Sequence, residues 1–204
     1  MAGGFGFAAI STHAATITYV DAAGGASGNT VNSSSGSATD WFSTDNSGNT
    51  WEQRGFANGV TVFESREAAD PEIKTQITGL SDGTYDVWAF FWDNGTGWSI
   101  YSGFESGSLT KYETGDATAV SSLDFTTSVL ASESNRTMYG VNLGQSTVSG
   151  GSAIEVFIDD LDGGGSGGPD RTWYDGVGYS AIPEASTALL LGLLGAISLI
   201  RRRR

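Results

Sequence analysis

The chain has 204 residues, with 30 Gly, no Cys, a single His and a formal net charge of −13 at pH 7. Without Cys there are no disulfides, thiol nucleophiles or Cys-ligated metals. With His13 as the only imidazole, the body has no Ser-His-Asp triad and no ordinary zinc site. The acidic balance repels phosphate backbones and argues against a nucleic-acid partner, while 11% aromatic and only 16% charged residues exclude the composition of a disordered chain.

Residues 1–14, "MAGGFGFAAISTHA", carry an apolar run from Phe5 to Ile10, then Thr12-His13-Ala14 in a small-x-Ala pattern. This fits the end of a secretory signal that lacks its basic start. In "ATITYVDAA", Thr16, Thr18 and Val20 alternate with Ile17 and Tyr19, which predicts a first strand. Residues 21–50 are rich in Gly, Ser, Asn and Thr, either a long loop or a few short strands with wide turns, and Trp41 and Trp51 are expected to anchor its end.

"GVTVFES" predicts a strand, and "IKTQITGL" a half-buried one, with Ile73, Thr75 and Ile77 on one side. In "TYDVWAFFW" both faces are largely apolar: Tyr85, Val87, Ala89 and Phe91 against Asp86, Trp88, Phe90 and Trp92. That pattern marks a central strand with one face in the core and the other lining something. Asp93-Asn94-Gly95 is a turn signal, and "WSIYSGF" is expected to return as the partner strand. Further strands are expected at "AVSSLDFT", "RTMYGVNLG", "SAIEVFIDDL" and "RTWYDGVGYSAI", with residues 160–170 as a loop. No helical periodicity and no repeat precede residue 185. The chain therefore reads as all-β: one sandwich over residues 15–181, jelly-roll-like, followed by a short C-terminal hydrophobic helix.

The tail "IPEASTALLLGLLGAISLIRRRR", residues 182–204, carries Glu184 against four Arg, +3, which leaves −16 on the rest from 22 acidic and six basic residues. Residues 185–200 make a helix of about 24 Å at 1.5 Å per residue, short against a bilayer core of about 30 Å. Arg201, Arg202, Arg203 and Arg204 orient such a span with its C-terminus in the cytoplasm and the body outside.

A Pro-Glu pair, a short apolar helix and a terminal Arg cluster together resemble the PEP-CTERM sorting signal of Gram-negative bacteria. Pro183 and Glu184 match the recognised pair, and Ala185 stands where the family motif has a second Pro. The resemblance covers about 23 residues. It implies recognition by an exosortase, a membrane enzyme, and transient membrane anchoring through the helix. It further implies delivery to the cell envelope or extracellular matrix, often in species that make exopolysaccharide. It says nothing of what the body does.

Three sets of residues carry candidate chemistry. Trp88, Trp92, Trp98 and Tyr101 suit either a platform for the apolar faces of sugar rings in a polysaccharide, as in jelly-roll carbohydrate-binding modules, which the body resembles distantly, or core packing. Asp159, Asp160, Asp162 and Asp170 on the Gly-rich loop suit either a structural calcium or a solvated acidic loop. Glu64 with Asp86 or Glu155 would serve a carboxylate-dependent glycan-active enzyme, which needs no His. The non-enzymatic reading is the leading one.

Overall fold

A computed structural model of the chain describes residues 16–22, 29–33, 42–43, 49–55, 61–163 and 170–183. Its strands, in chain order, are β1 (Thr18–Asp21), β2 (Asn29–Ser33), β3 (Phe42–Ser43), β4 (Trp51–Gly55), β5 (Thr61–Ser65), β6 (Ile73–Ile77) and β7 (Gly83–Asp93). There follow β8 (Ile100–Gly103), β9 (Thr110–Tyr112), β10 (Thr118–Ala119), β11 (Ser132–Glu133), β12 (Arg136–Val148), β13 (Ile154–Asp159) and β14 (Thr172–Ala181). They form an all-β sandwich, as the alternating sequence predicts. The larger sheet runs β10-β12-β7-β14-β5-β4-β3, with β1 on β14 and β11 on β12. The smaller runs β2-β6-β13-β8-β9. Every pairing between these strands is antiparallel except the short β3–β4 pair. The region of residues 21–50 thus contains short strands, while Trp41 and the N-terminal segment lie outside the described residues, as does the C-terminal stretch 184–204.

The period-2 pattern explains the main core. On β6 the burial alternates strictly, with Ile73, Thr75 and Ile77 inside. Ile154, Val156 and Ile158 of β13 face the same interior, and Tyr85, Val87, Ala89 and Phe91 of β7 meet them from the other sheet. Trp51 is fully buried there and donates its indole N–H to the Pro71 carbonyl at 2.8 Å. Each such fully buried side chain contributes about 1.5–3 kcal/mol of burial free energy.

The second face of β7 has its own core. Phe90 and Trp92 join Ile17, Val62, Trp98, Val120, Met138 and Trp173, with Trp88 packed at the margin. This outer face is covered by residues 120–131, and here the strand expected at "AVSSLDFT" is corrected. Only Thr118–Ala119 pairs as a strand. A 3-10 turn at Val120–Ser122 follows, then non-ladder backbone laid across the sheet. Leu123, Phe125, Val129 and Leu130 supply its apolar underside. Backbone bonds Ile17 N–H to Asp124 O, 2.8 Å, and Thr126 N–H to Ile17 O, 2.9 Å, tie it to the start of β1.

The hairpin expected after β7 is also corrected. β7 pairs with β12 and β14, whereas β8 crosses to the smaller sheet and pairs with β13 and β9. Gly95 and Gly97, at φ +85° and +92°, take the left-handed backbone that this corner requires. A carboxylate oxygen of Asp93 accepts the Trp98 N–H at 3.1 Å and fixes it.

Candidate functional site

The site begins with "WYDGVGY" on β14. Trp173 faces outward and Tyr174 inward, with its hydroxyl 2.5 Å from Thr75 Oγ1. Regular alternation would then send Val177 outward, yet it lies in the inter-sheet core. A β-bulge between Tyr174 and Gly176, in the register of β14 with β7, resets the alternation. Asp175 sits at that bulge and is directed into the outer core.

Asp175 is 1% exposed. Its Oδ1 accepts the Trp92 indole N–H at 3.0 Å, and its Oδ2 accepts the Tyr19 hydroxyl, which also reaches the Asp175 carbonyl at 3.0 Å. Burial pushes the carboxyl up to about 7, although both hydrogen bonds favour the charged form. The Tyr19 phenol is raised well above its ordinary value, by burial first and then by the charge of Asp175.

Asp175 borders a cavity of about 250 Å³, whose walls are Tyr19, Asp21, Met138 and the 128–130 segment. A neighbouring cavity of about 370 Å³ is lined by residues of the 120–131 segment itself and shares Ser128 and Val129 with the first. Val129, Leu130 and Met138 give this first cavity an apolar side, and Asp21 and the Tyr19 phenol give it a polar one, while the Asp175 carboxyl is buried with both oxygens already held.

A second polar centre lies on the same outer face. Glu64 of β5 is fully buried, and Arg54, Arg66 and Arg171 all pair with it, Arg66 at 2.9 Å and Arg171 at 2.7 Å. Burial works against the charge on Glu64, but the hydrogen bond from Arg66 and the charges of Arg54 and Arg66 outweigh it and hold the carboxyl below its ordinary value. Arg54 and Arg136 lie over Trp173, at 5.4 and 4.6 Å from its ring, and Trp173 stacks on Trp98 at 4.8 Å. Arg171 pairs with an acid across the sheet, as its place at the start of β14 suggests.

The predicted sites are distributed as follows. Trp92 and Trp98 are 0% and 3% exposed, so they present no ring face to a sugar, and Tyr101 belongs to the other sheet. Trp88, on the same face of β7 as Trp92, stays half-buried at the margin, so the four rings share no exposed platform. Trp92 contributes by holding Asp175. Glu64 and Asp86 pair with Trp173 and Ser180, at opposite ends of β14 and roughly 20 Å apart along the strand. Glu155 is on the smaller sheet, where Lys74 and Gln76 hold it. Glu64 therefore lies neither beside Asp86 nor on the sheet that carries Glu155.

The four loop aspartates divide. Asp162 pairs with Lys111 at 2.5 Å and accepts the Tyr101 hydroxyl at 2.8 Å, which keeps its carboxyl below the ordinary value. Asp170 lies half-buried just before β14. Asp159 and Asp160 are 7% and 0% exposed, and burial pushes both carboxyls up to about 6. Among the described residues no group of three or more acidic, His or Cys side chains converges as a ready metal-ligand set. Pro183 is described and exposed, whereas Glu184 and Arg201–Arg204 lie outside the described residues.

Sequence reasoning missed Tyr19, Asp21 and Asp175 as a group. One signal was present: Asp175 is an acid inside a strand of otherwise aromatic and apolar residues, where only a partnered carboxyl is tolerated. Among the described residues no helix is long and apolar enough to cross a membrane. Compared with known proteins, the chain matches no family model and no curated sequence.

Proposed function

We propose that this chain is an exported β-sandwich protein of a Gram-negative cell envelope, sorted by an exosortase through its C-terminal signal and acting by binding glycan rather than by catalysis. One observation carries the sorting reading. The Ile182 N–H bonds to the Thr84 carbonyl at 2.9 Å, and Pro183, the next residue, is exposed. Pro183 is thus exposed directly after a residue that is tethered to the sandwich, which supports access of a membrane enzyme to this position. The glycan reading rests on the cavity beside Asp175, which sets Asp21 and the Tyr19 phenol against the apolar side chains of Val129, Leu130 and Met138.

Mass spectrometry of the mature protein from an exosortase-bearing host tests the sorting. Loss of the residues after about Glu184 is expected, and an intact C-terminus overturns it. A glycan array on the secreted protein tests the binding, with capture of hydroxyl-rich, uncharged sugars expected. A second reading, a glycan-active enzyme, is favoured by the high proton affinity of Asp175 next to Asp21. Hydrolysis of an array sugar by the native protein, abolished in Asp175→Asn, would replace binding by catalysis.

A further inference from the structure

The open end of the inter-sheet core is closed by acids rather than by apolar side chains. Ser65 follows Phe63 by two residues on β5, and Asp160 follows Ile158 by two beyond β13, so both continue rows that face the other sheet. Asp70, in the β5–β6 connection, comes back to the same place: its Oδ2 accepts the Ser65 hydroxyl at 2.7 Å. The two connections are pressed together, since a Cβ on Gly163 would lie 2.1 Å from the Ala68 nitrogen. Asp70 and Asp160 are 4% and 0% exposed.

Both carboxylates take hydrogen bonds, Asp70 from Ser65 and the Arg66 and Glu67 backbone and Asp160 from Ser65 and the Gly163 backbone, yet each keeps one buried oxygen without a partner among the described residues. Asp160 Oδ1 accepts the Gly163 N–H at 3.3 Å, but Asp160 Oδ2 and Asp70 Oδ1 are buried with no hydrogen-bond partner among the described residues. The six basic side chains of the body are committed elsewhere. Arg54, Arg66 and Arg171 hold Glu64, Lys74 holds Glu155, Lys111 holds Asp162, and Arg136 lies by Glu133. Arg66 adjoins Ser65 in sequence yet turns to Glu64 and Glu52 on the other face. Two buried carboxylates without a cation are strongly disfavoured unless something neutralises them.

We propose that a divalent cation of the calcium class binds between the β5–β6 and β13–β14 connections, with Oδ1 of Asp70 and Oδ2 of Asp160 as its charged ligands. The charge of the pair balances the ion. The available donors are all oxygen, which selects hard cations and disfavours zinc or copper. Two carboxylates, rather than three, form the charged set. Ser65 Oγ, water and main-chain oxygens of the two connections complete a coordination sphere that accepts six to eight oxygens. Asp162, held by Lys111 and Tyr101, is not part of it. This assignment is independent of the sorting and glycan readings.

The test is thermal unfolding and calorimetric titration of the full chain at constant neutral pH, after chelation, with calcium or magnesium added back. A saturable rise in melting temperature is expected, with half-saturation at about 10⁻⁴–10⁻³ M, the range of extracellular calcium modules. Asp160→Asn and Asp70→Asn are each expected to weaken calcium binding at least about tenfold, while Asp162→Asn retains it. Should one of the two variants fail to fold, the other and the wild-type titration still decide. No heat and no shift with either cation overturns the site. So does calcium dependence lost in Asp162→Asn but kept in Asp70→Asn and Asp160→Asn. Stabilisation of both Asn variants with no calcium effect in the wild type would show that protons occupy the pair instead.

Discussion

Trp92 and Asp175 lie 83 residues apart in sequence and are joined by a 3.0 Å hydrogen bond from the indole N–H to Oδ1. The bond links β7 and β14, neighbouring strands of the large sheet, across the bulge that turns Asp175 toward the outer core. Tyr19, from β1 on the far side of β14, holds the other carboxylate oxygen. Three strands thus fix one buried carboxyl, and its proton affinity follows from their packing.

That proton affinity makes stability depend on pH. Folded Asp175 keeps its proton up to about 7, against 3.8 for an ordinary Asp. Between these values the folded state binds more protons than the unfolded one, so stability falls as pH rises from about 4 to about 7. The contribution is fully present below the lower value and lost through the upper one. Asp175→Asn imitates the protonated form and should flatten the fall in melting temperature between about pH 4 and about pH 7. Equal slopes in both proteins would contradict the assignment.

Glu64 behaves with the opposite sign. Its carboxyl is held below the ordinary value, so its contribution is present above that value and lost as pH falls through the folded one. Glu64→Gln leaves Arg54, Arg66 and Arg171 without their shared buried counter-charge and is expected to cost about 3–5 kcal/mol. Denaturant unfolding measures this. A loss below about 1 kcal/mol, the scale of an exposed pair, would mean that solvent already screens the cluster.

Gly176 permits the close approach of β1. A Cβ there would lie 2.3 Å from the Val20 carbonyl oxygen, a backbone atom that cannot turn aside. Gly176→Ala should therefore destabilise by about 1–3 kcal/mol. It should also loosen Tyr19, which is carried by the displaced strand, and so move the apparent titration of Asp175. Chemical denaturation and a pH series on the same variant read both effects.

Replacing Arg201 to Arg204 with Ser removes the charge that we propose orients the tail. Impaired membrane retention or inverted orientation is the expected result, read by fractionation and protease accessibility in the producing cell. Unchanged surface delivery would separate the tail charge from sorting.

Much of the sandwich was legible in the residues, because a strand has a period of two and burial follows it. Ile73, Thr75 and Ile77, or Ile154, Val156 and Ile158, can be placed inside from sequence alone. The two-faced apolar pattern of β7 likewise required a central strand. Partner choice was not legible. "WSIYSGF" reads as a hairpin return, yet Gly95, Gly97 and the Asp93 bond to Trp98 send it to the other sheet. Nor did "AVSSLDFT" reveal that it lies across a sheet, since its apolar spacing serves a cover as well as a strand.

The sequence by itself determined the all-β class, the inward rows of the core and the resemblance of the tail, because periodicity, composition and a local motif are properties of neighbouring residues. Only the tertiary structure decided which acids are paired, buried or alone. Glu64 gathers three arginines, Asp175 takes Tyr19 and Trp92, and Asp160, 90 residues after Asp70 in the chain, feels the charge of that acid. The charge state of a carboxyl is set by what surrounds it in space, through desolvation and nearby charge, and a one-dimensional pattern does not contain those distances.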